Sequence, residues 1–434
     1  MADAAAQRPR SRLTRALASR NYRLFFSGQT VSLVGTWITR IATSWLVYRL
    51  TGSALLLGLV GFCGQIPTLL FAPFAGVLVD RWDRHRILLI TQALSLVQSA
   101  ALAVLTLMGV ITVAHVLALQ VVQGIINAFD TPARQAFVVE MVENRADLPN
   151  AIALNSSMVN TSRIVGPSIG GIIIAAVGEG WCFALDAVSY LAVIASLVAM
   201  KLEPHVRAQK TTRMREELAT GFRYVTRFVP VRSALLLLSL VSIMGMPYTV
   251  LMPAISATVL HGGPHTLGFL MTASGVGALG GAFYLATRRS VLGLGRAMSV
   301  SAMTFGVGLA AFSFSRTLWV SLLVLPIVGA GMMVTMAAAN TIIQTVVEED
   351  LRGRVMAFYT MAFLGTAPIG SLIAGVAADR IGAQRTILLG GLSCIAAGVW
   401  FATRLPTLRK LVRPIYIERG ILSAAQVEGG ATSL

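Results

Sequence analysis

The sequence predicts an all-α polytopic membrane protein, with twelve transmembrane helices in two pseudo-symmetric six-helix halves. Three observations predict it. Hydrophobic residues make up 56% of the 434 and charged ones only 12%, with a mean hydropathy of +0.75. A soluble domain of that composition would leave more apolar surface in water than one core could hide. The apolar residues also fall into twelve runs, and about 20 such residues cross ~30 Å of hydrocarbon as a helix whose backbone groups bond internally. Finally, Lys and Arg gather on alternate connections between the runs, which fixes an orientation.

In chain order the runs lie near 24–50, 54–79, 87–109, 112–141, 150–177, 181–200, 234–260, 266–287, 297–315, 318–347, 355–378 and 386–403. Residues 1–23 are polar and Arg-rich, the wrong composition for a cleavable signal, so the first run is expected to act as the targeting signal. The longest polar connection, 201–233, separates a first half (24–200) from a second (234–403), and 404–434 forms a C-terminal tail. With both termini on the cytoplasmic side of the cell membrane, 28 of the 35 Lys and Arg are cytoplasmic and only Arg49, Arg316, Arg380 and Arg385 lie outside. The formal charge of +17 is then a topology signal and a contact with the anionic headgroups of the bilayer, and no nucleic-acid partner is expected. Cys63, Cys182 and Cys394 lie far apart without a C-x-x-C pair, so no metal, disulfide framework or cofactor is expected. There is no H-E-x-x-H and no nucleotide-binding P-loop, and no enzyme is expected. The chain is expected to be a monomer.

Internal repetition supports the two halves. Val138-Val139-Glu140 recurs as Val346-Val347-Glu348, each at the cytoplasmic end of the fourth run of its half. The segment AGVLVDRWDRHR from Ala75 has an echo in AGVAADRIGAQR from Ala374, which follows the fifth run of the second half and so points to a three-helix unit. Nested three-helix repeats of this kind build many secondary transporters, with the substrate site between halves at the membrane midplane.

Three motifs then carry a resemblance. Gly76 to Arg86, GVLVDRWDRHR, resembles the G-x-L-x-D-R-x-G-R-K/R signature between helices 2 and 3 of the major facilitator superfamily, with Asp83 where the second Gly is usual. Gln120-Val121-Val122-Gln123-Gly124 resembles its R-x-x-Q-G, and Gly166-Pro167-Ser168-Ile169-Gly170-Gly171 resembles the G-P-x-x-G-G of drug–proton antiporters. The first half is most similar to the enterobactin-exporter and macrolide-efflux branch. The resemblance implies a secondary exporter of a medium-sized amphipathic molecule, a siderophore or a drug, working by proton antiport. A non-transporting scaffold or sensor, or an uptake carrier for a metabolite, are the alternatives.

It also implies roles. Gly76 would let helices approach closely, Asp80 would latch onto the positively polarised N-terminus of the eleventh run, and Arg81 and Arg84 would support that gate, with Arg84 paired to Glu140. Gly166, Pro167, Gly170 and Gly171 would make a kinked, smooth helix against the eighth run, sealing the gate from the other side.

The family's proton-transfer arginine is Gln120 here, so its role would pass to another charge. Ionisable groups in hydrocarbon cost roughly 2.5–3.5 kcal/mol on insertion scales, which singles out Arg40, Asp130, Arg134, Arg163 and Asp186, all in the first half. Asp130 and Arg134 are four apart on one helix face, and Asp130 is the expected coupling carboxylate, with Arg134 or Arg163 as partner and Arg40 as a further candidate for proton coupling. A static ion pair is the other reading of Asp130 and Arg134. Asp186 is expected within reach of water near the outer face. Thr36, Gln123, Asn127 and Asn340 are candidate substrate contacts, among Trp and Met side chains whose adaptable surfaces suit an amphipathic ligand.

Overall fold

The computed structural model describes residues 15–142, 144–201, 214–288 and 290–422, and all regular structure among them is helical. Before the linker come α1 (Arg20–Thr51), α2 (Ala54–Arg81), α3 (Arg84–Leu107), α4 (Val113–Met141), α5 (Leu148–Val177) and α6 (Glu179–Val198). A helix inside the linker, α7 (Met214–Arg227), follows. Six long segments complete the described chain: α8 (Val229–Val259), α9 (Pro264–Thr287), α10 (Leu294–Phe314), α11 (Leu318–Val346), α12 (Glu349–Ile381) and α13 (Ala383–Glu418). The first six correspond to the first six apolar runs, and α8 to α13 to the last six. Among the described residues ten of these helices are long and apolar enough to cross a membrane, while α1 and α5 are long enough but more polar.

Local chemistry sets the boundaries. The Asp83 carboxylate accepts from the backbone N–H groups of His85 and Arg86, so the residue that replaces the usual glycine serves as the N-cap of α3. Thr112 caps α4 in a reciprocal arrangement with His115. α8 and α12 contain wide turns at Val241–Gly245, Ile255–Val259 and Met361–Gly365, each next to a proline-bearing stretch. Two polar segments are more ordered than their composition suggests. α7 occupies part of the linker, and α13 runs past the expected boundary at 403 because Leu408 and Val412, four apart, bury one face.

The chain forms two compact units, Met1–Leu46 with Pro67–Gln209, and Val47–Ile66 with Lys210–Leu434. In the first, Tyr22, Phe25, Leu88, Phe137, Met141 and Leu197 form a buried cluster. It is tied by Tyr22 Oη donating to the Ala151 carbonyl at 2.7 Å and Ser19 Oγ to the Met141 carbonyl at 2.6 Å. In the second, α9 and α11 approach backbone to backbone: a Cβ on Gly277 would run into the Pro326 carbonyl, and one on Gly329 into that of Ser274. Small residues at helix contacts allow this approach where no hydrophobic drive exists between helices in lipid.

Candidate functional site

The α2–α3 connection is held from both sides. Arg84 Nη1 donates to Glu140 Oε1 at 2.8 Å, joining the start of α3 to the end of α4, and the His85 ring lies 2.9 Å from the Leu197 carbonyl at the end of α6. Arg81 is exposed, and the side chain of Asp80 lies outside the described residues. A Cβ built on Gly76 meets nothing within 4 Å.

The counterpart of Gly76 in the echo behaves oppositely. Gly375 on α12 packs on the first half of α2: a Cβ on Gly375 would lie 2.9 Å from Gly58 Cα, and one on Gly58 would lie 2.5 Å from the Ser371 carbonyl. Ser53 Oγ donates to Asp379 Oδ1 at 3.3 Å, and Asp379 is the echo of Asp80. The glycine of the motif is thus in close contact in the second copy and has open space beside it in the first.

On α5, Gly166 and Gly170 meet α1. A Cβ on Gly166 would sit 2.5 Å from the Trp37 Cβ, and one on Gly170 would sit 3.2 Å from the Ile38 Cα. The reason is size: only a residue without a side chain admits Trp37 and the α1 backbone at that spacing. Pro167 and Gly171 are also buried in α5. Gly166→Val is therefore expected to cost about 1–3 kcal/mol as an overpacking change, read as a lower melting temperature in detergent; an unchanged melting curve would contradict the contact. Gly166 to Gly170 also spells G-x-S-x-G. It lies within a continuous helix, whereas a nucleophile elbow needs a strand-to-helix turn.

Asp130 is buried on α4 with a complete set of partners. Thr91 Oγ1 donates to its Oδ1 at 3.0 Å, Gln92 Nε2 donates to the same oxygen at 2.8 Å, and Arg134 Nε lies 3.5 Å from Oδ2. Arg134, not Arg163, is its partner here. The two donors from α3 begin a polar stripe that sequence reading missed. Thr91, Gln92, Ser95, Gln98 and Ser99 are all buried, at helical spacing, inside an otherwise apolar bundle. Its far end reaches the second carboxylate: Ser99 Oγ donates to Asp186 Oδ2 at 2.8 Å. Asp186 was expected within reach of water, but at 1% exposure it is sealed. Gly35 makes the seal, since a Cβ there would lie 2.7 Å from Asp186 Oδ1. By helix rise, Gln92 and Ser99 are about 10 Å apart, so one face of α3 joins two buried carboxylates of the first unit.

The remaining candidates divide among separate places. Gln123 donates to Asn127 Oδ1 at 3.2 Å and to Ser95 at 3.4 Å, which turns it toward the α3 stripe. Thr36 is exposed on α1 and donates to the Ser32 carbonyl at 3.0 Å. Asn340 belongs to the second unit, where its side-chain oxygen accepts from Gln344. Arg40, also exposed on α1, places its guanidinium 5.1 Å over the Trp37 ring, and its charged neighbour is Arg163. Among the described residues no three His, Cys, Asp or Glu side chains gather to hold a metal.

Two units of long apolar helices, buried carboxylates set inside one of them and a motif repeated between the halves are the features of a transporter of the major facilitator type. The chain belongs, more narrowly, to the family described as transmembrane secretion effector, whose model matches residues 14–413. It is 30% identical to the multidrug efflux pump Tap of Mycolicibacterium fortuitum, covering 87% of this chain and 93% of that one. It is 27% identical to the staphyloferrin A transporter of Staphylococcus aureus, over 88% and 96%, and 27% identical to macrolide efflux protein A of Streptococcus pyogenes, over 87% and 95%. In fold it resembles a bacterial homolog of the human lysosomal transporter Spinster, solved in an inward-facing and occupied conformation. That match has a TM-score of 0.70 at 13% identity, over 92% of this chain and 99% of that one. The chain is a multi-pass membrane protein of the efflux-type major facilitator transporters.

Proposed function

We propose that this protein exports a medium-sized amphipathic small molecule, of the siderophore or drug class, from the cytoplasm by alternating access, driven by protons moving inward. The observation that carries the reading is membership of the secretion-effector family over residues 14–413. The names of the relatives supply the substrate classes: a staphyloferrin transporter, a multidrug pump and a macrolide pump. In this reading the protein is a monomer in the cell membrane. Residues 1–23, 201–233 and 404–434 are cytoplasmic and the halves 24–200 and 234–403 rock about the substrate. Cells expressing it should accumulate less of an exported dye than cells without it, and equal or greater accumulation would overturn the direction.

The gate works through Gly76, Asp80, Arg81 and Arg84. The Arg84–Glu140 pair holds the α2–α3 connection firm, so that Asp80 can offer its carboxylate to a helix N-terminus when the cytoplasmic side closes. Asp80→Asn removes the full charge from that hydrogen bond. It should lower transport at least fivefold at unchanged expression; parental transport by the variant would remove the latch.

Coupling runs through Asp130. With Arg134 beside it at 3.5 Å, a proton arriving on the carboxylate cancels the attraction that holds the arginine. If Arg134 swings away in one state and returns in the other, the two states bind the proton unequally, and that difference is the coupling free energy.

A further inference from the structure

The first unit contains two arginines at membrane depth that form no ion pair with an acid among the described residues. Arg40 and Arg163 sit on α1 and α5, which meet where Gly166 faces Trp37 and Gly170 faces Ile38. Arg40 lies three residues beyond Trp37, and Arg163 three residues before Gly166. The two arginines therefore flank one helix contact, one turn to either side of it. Among the described residues Asp130 is paired with Arg134, and Asp186 accepts from Ser99 through Oδ2 while its Oδ1 lies behind Gly35 without a hydrogen-bond partner.

Two like charges in a membrane interior repel each other and cost insertion energy, and an apolar pair would pack there without either penalty. Both side chains also reach solvent, Arg40 exposed and Arg163 half-buried. The two helices that carry them are the pair too polar to qualify as lipid-crossing by composition.

We propose that Arg40 and Arg163 form a binding subsite for an anionic group of the transported molecule, a carboxylate above all. Guanidinium groups present planar donor forks that fit an oxyanion in bidentate fashion. Trp37, already covered on one side by Arg40 at 5.1 Å, supplies an aromatic surface for the apolar part of the same molecule, and the exposed Thr36 hydroxyl lies one turn before Arg40. Arg40 and Arg163 therefore act in substrate selection, not as proton partners of Asp130. An anion entering the subsite removes the repulsion between the two guanidinium groups, so that the empty protein favours anionic over neutral cargo.

The inference rests on the export reading for its claim that the ligand is cargo, and binding is measured apart from transport. Dansylglycine, an anionic dye, and its uncharged methyl ester are titrated against the purified full chain in detergent, by fluorescence anisotropy. The parent should bind the anionic dye at least tenfold more tightly than the ester. Arg40→Gln and Arg163→Gln should each weaken the anion at least tenfold and leave the ester within twofold, and Arg40→Lys should recover part of the loss. Melting temperatures of the variants serve as the folding control, with the relative affinities for the two dyes read on the same preparation. Equal parental affinity for both dyes, or parental discrimination in both glutamine variants, overturns the subsite. If discrimination is lost in the variants but the parent exports neither dye from cells, the subsite stands and the export reading fails. If the parent exports the anionic dye and the variants do so equally well, the reverse holds.

Discussion

Asp130→Asn is expected to abolish concentrative efflux driven by a pH gradient, with at least a hundredfold loss of the uphill component, while downhill exchange and substrate binding stay measurable. The isosteric amide can still accept from Thr91 and Gln92, which reach Oδ1 at 3.0 and 2.8 Å. What it loses is the charge that holds Arg134 at 3.5 Å. Removing one member of an enclosed ion pair leaves the other uncompensated. Asp130→Asn with Arg134→Gln should therefore recover any stability that the first change costs and still fail to couple. Proteoliposomes with an imposed gradient separate these outcomes. Unimpaired uphill transport by Asp130→Asn would return the pair to a purely structural role and move attention to Asp186.

Gly375→Val should also have a large effect, through a different route. The atoms that a side chain at 375 would meet are backbone, with Gly58 Cα at 2.9 Å and the Ala54 carbonyl at 3.0 Å, and they cannot turn aside as a flexible side-chain end would. Closure between α2 and α12 then fails, and Ser53 loses its contact with Asp379 at 3.3 Å. Transport should fall at least tenfold while the protein still inserts. Ser53→Cys in the Gly375→Val background should react several-fold faster with a membrane-impermeant thiol reagent added outside. Unchanged transport together with unchanged thiol reactivity would show that this contact is not a gate.

The architecture was legible because its signals are local. Twelve runs of about the right length and a Lys/Arg bias between them can be read without knowing which helix touches which. The Arg84–Glu140 pair was legible for a related reason: the motif resemblance named one partner, and the end of the fourth run offered one acid at the matching place. Asp130 and Arg134 were legible as an i, i+4 pair. What stayed hidden depends on which faces turn inward. The polar residues Thr91, Gln92, Ser95, Gln98 and Ser99 were visible at helical spacing. Only the packing of α3 against α4 and α6 shows that this stripe is its buried side and that it ends on Asp186.

Other features depend on state or on distant partners. Gly76 and Gly375 occupy equivalent places in the repeat, yet one has open space around it and the other meets the backbone of Gly58. An alternating mechanism calls for that asymmetry, and the two echoed segments, almost identical where it matters, cannot announce which is engaged. Arg40 and Arg163 are more than a hundred residues apart. Each alone reads as a candidate proton partner, and only the contact of α1 with α5 shows that they flank one helix crossing.

The most direct test of the central claim, proton-driven export, is uptake of an exported dye into inside-out membrane vesicles whose interior has been made acidic relative to the bath. There the cytoplasmic face points outward, so export appears as accumulation. Dye should concentrate inside above the external level, collapse when an ionophore dissipates the pH gradient, and fail to concentrate in vesicles carrying Asp130→Asn. Accumulation only in right-side-out vesicles, or concentration that persists after the gradient is dissipated, would contradict the account.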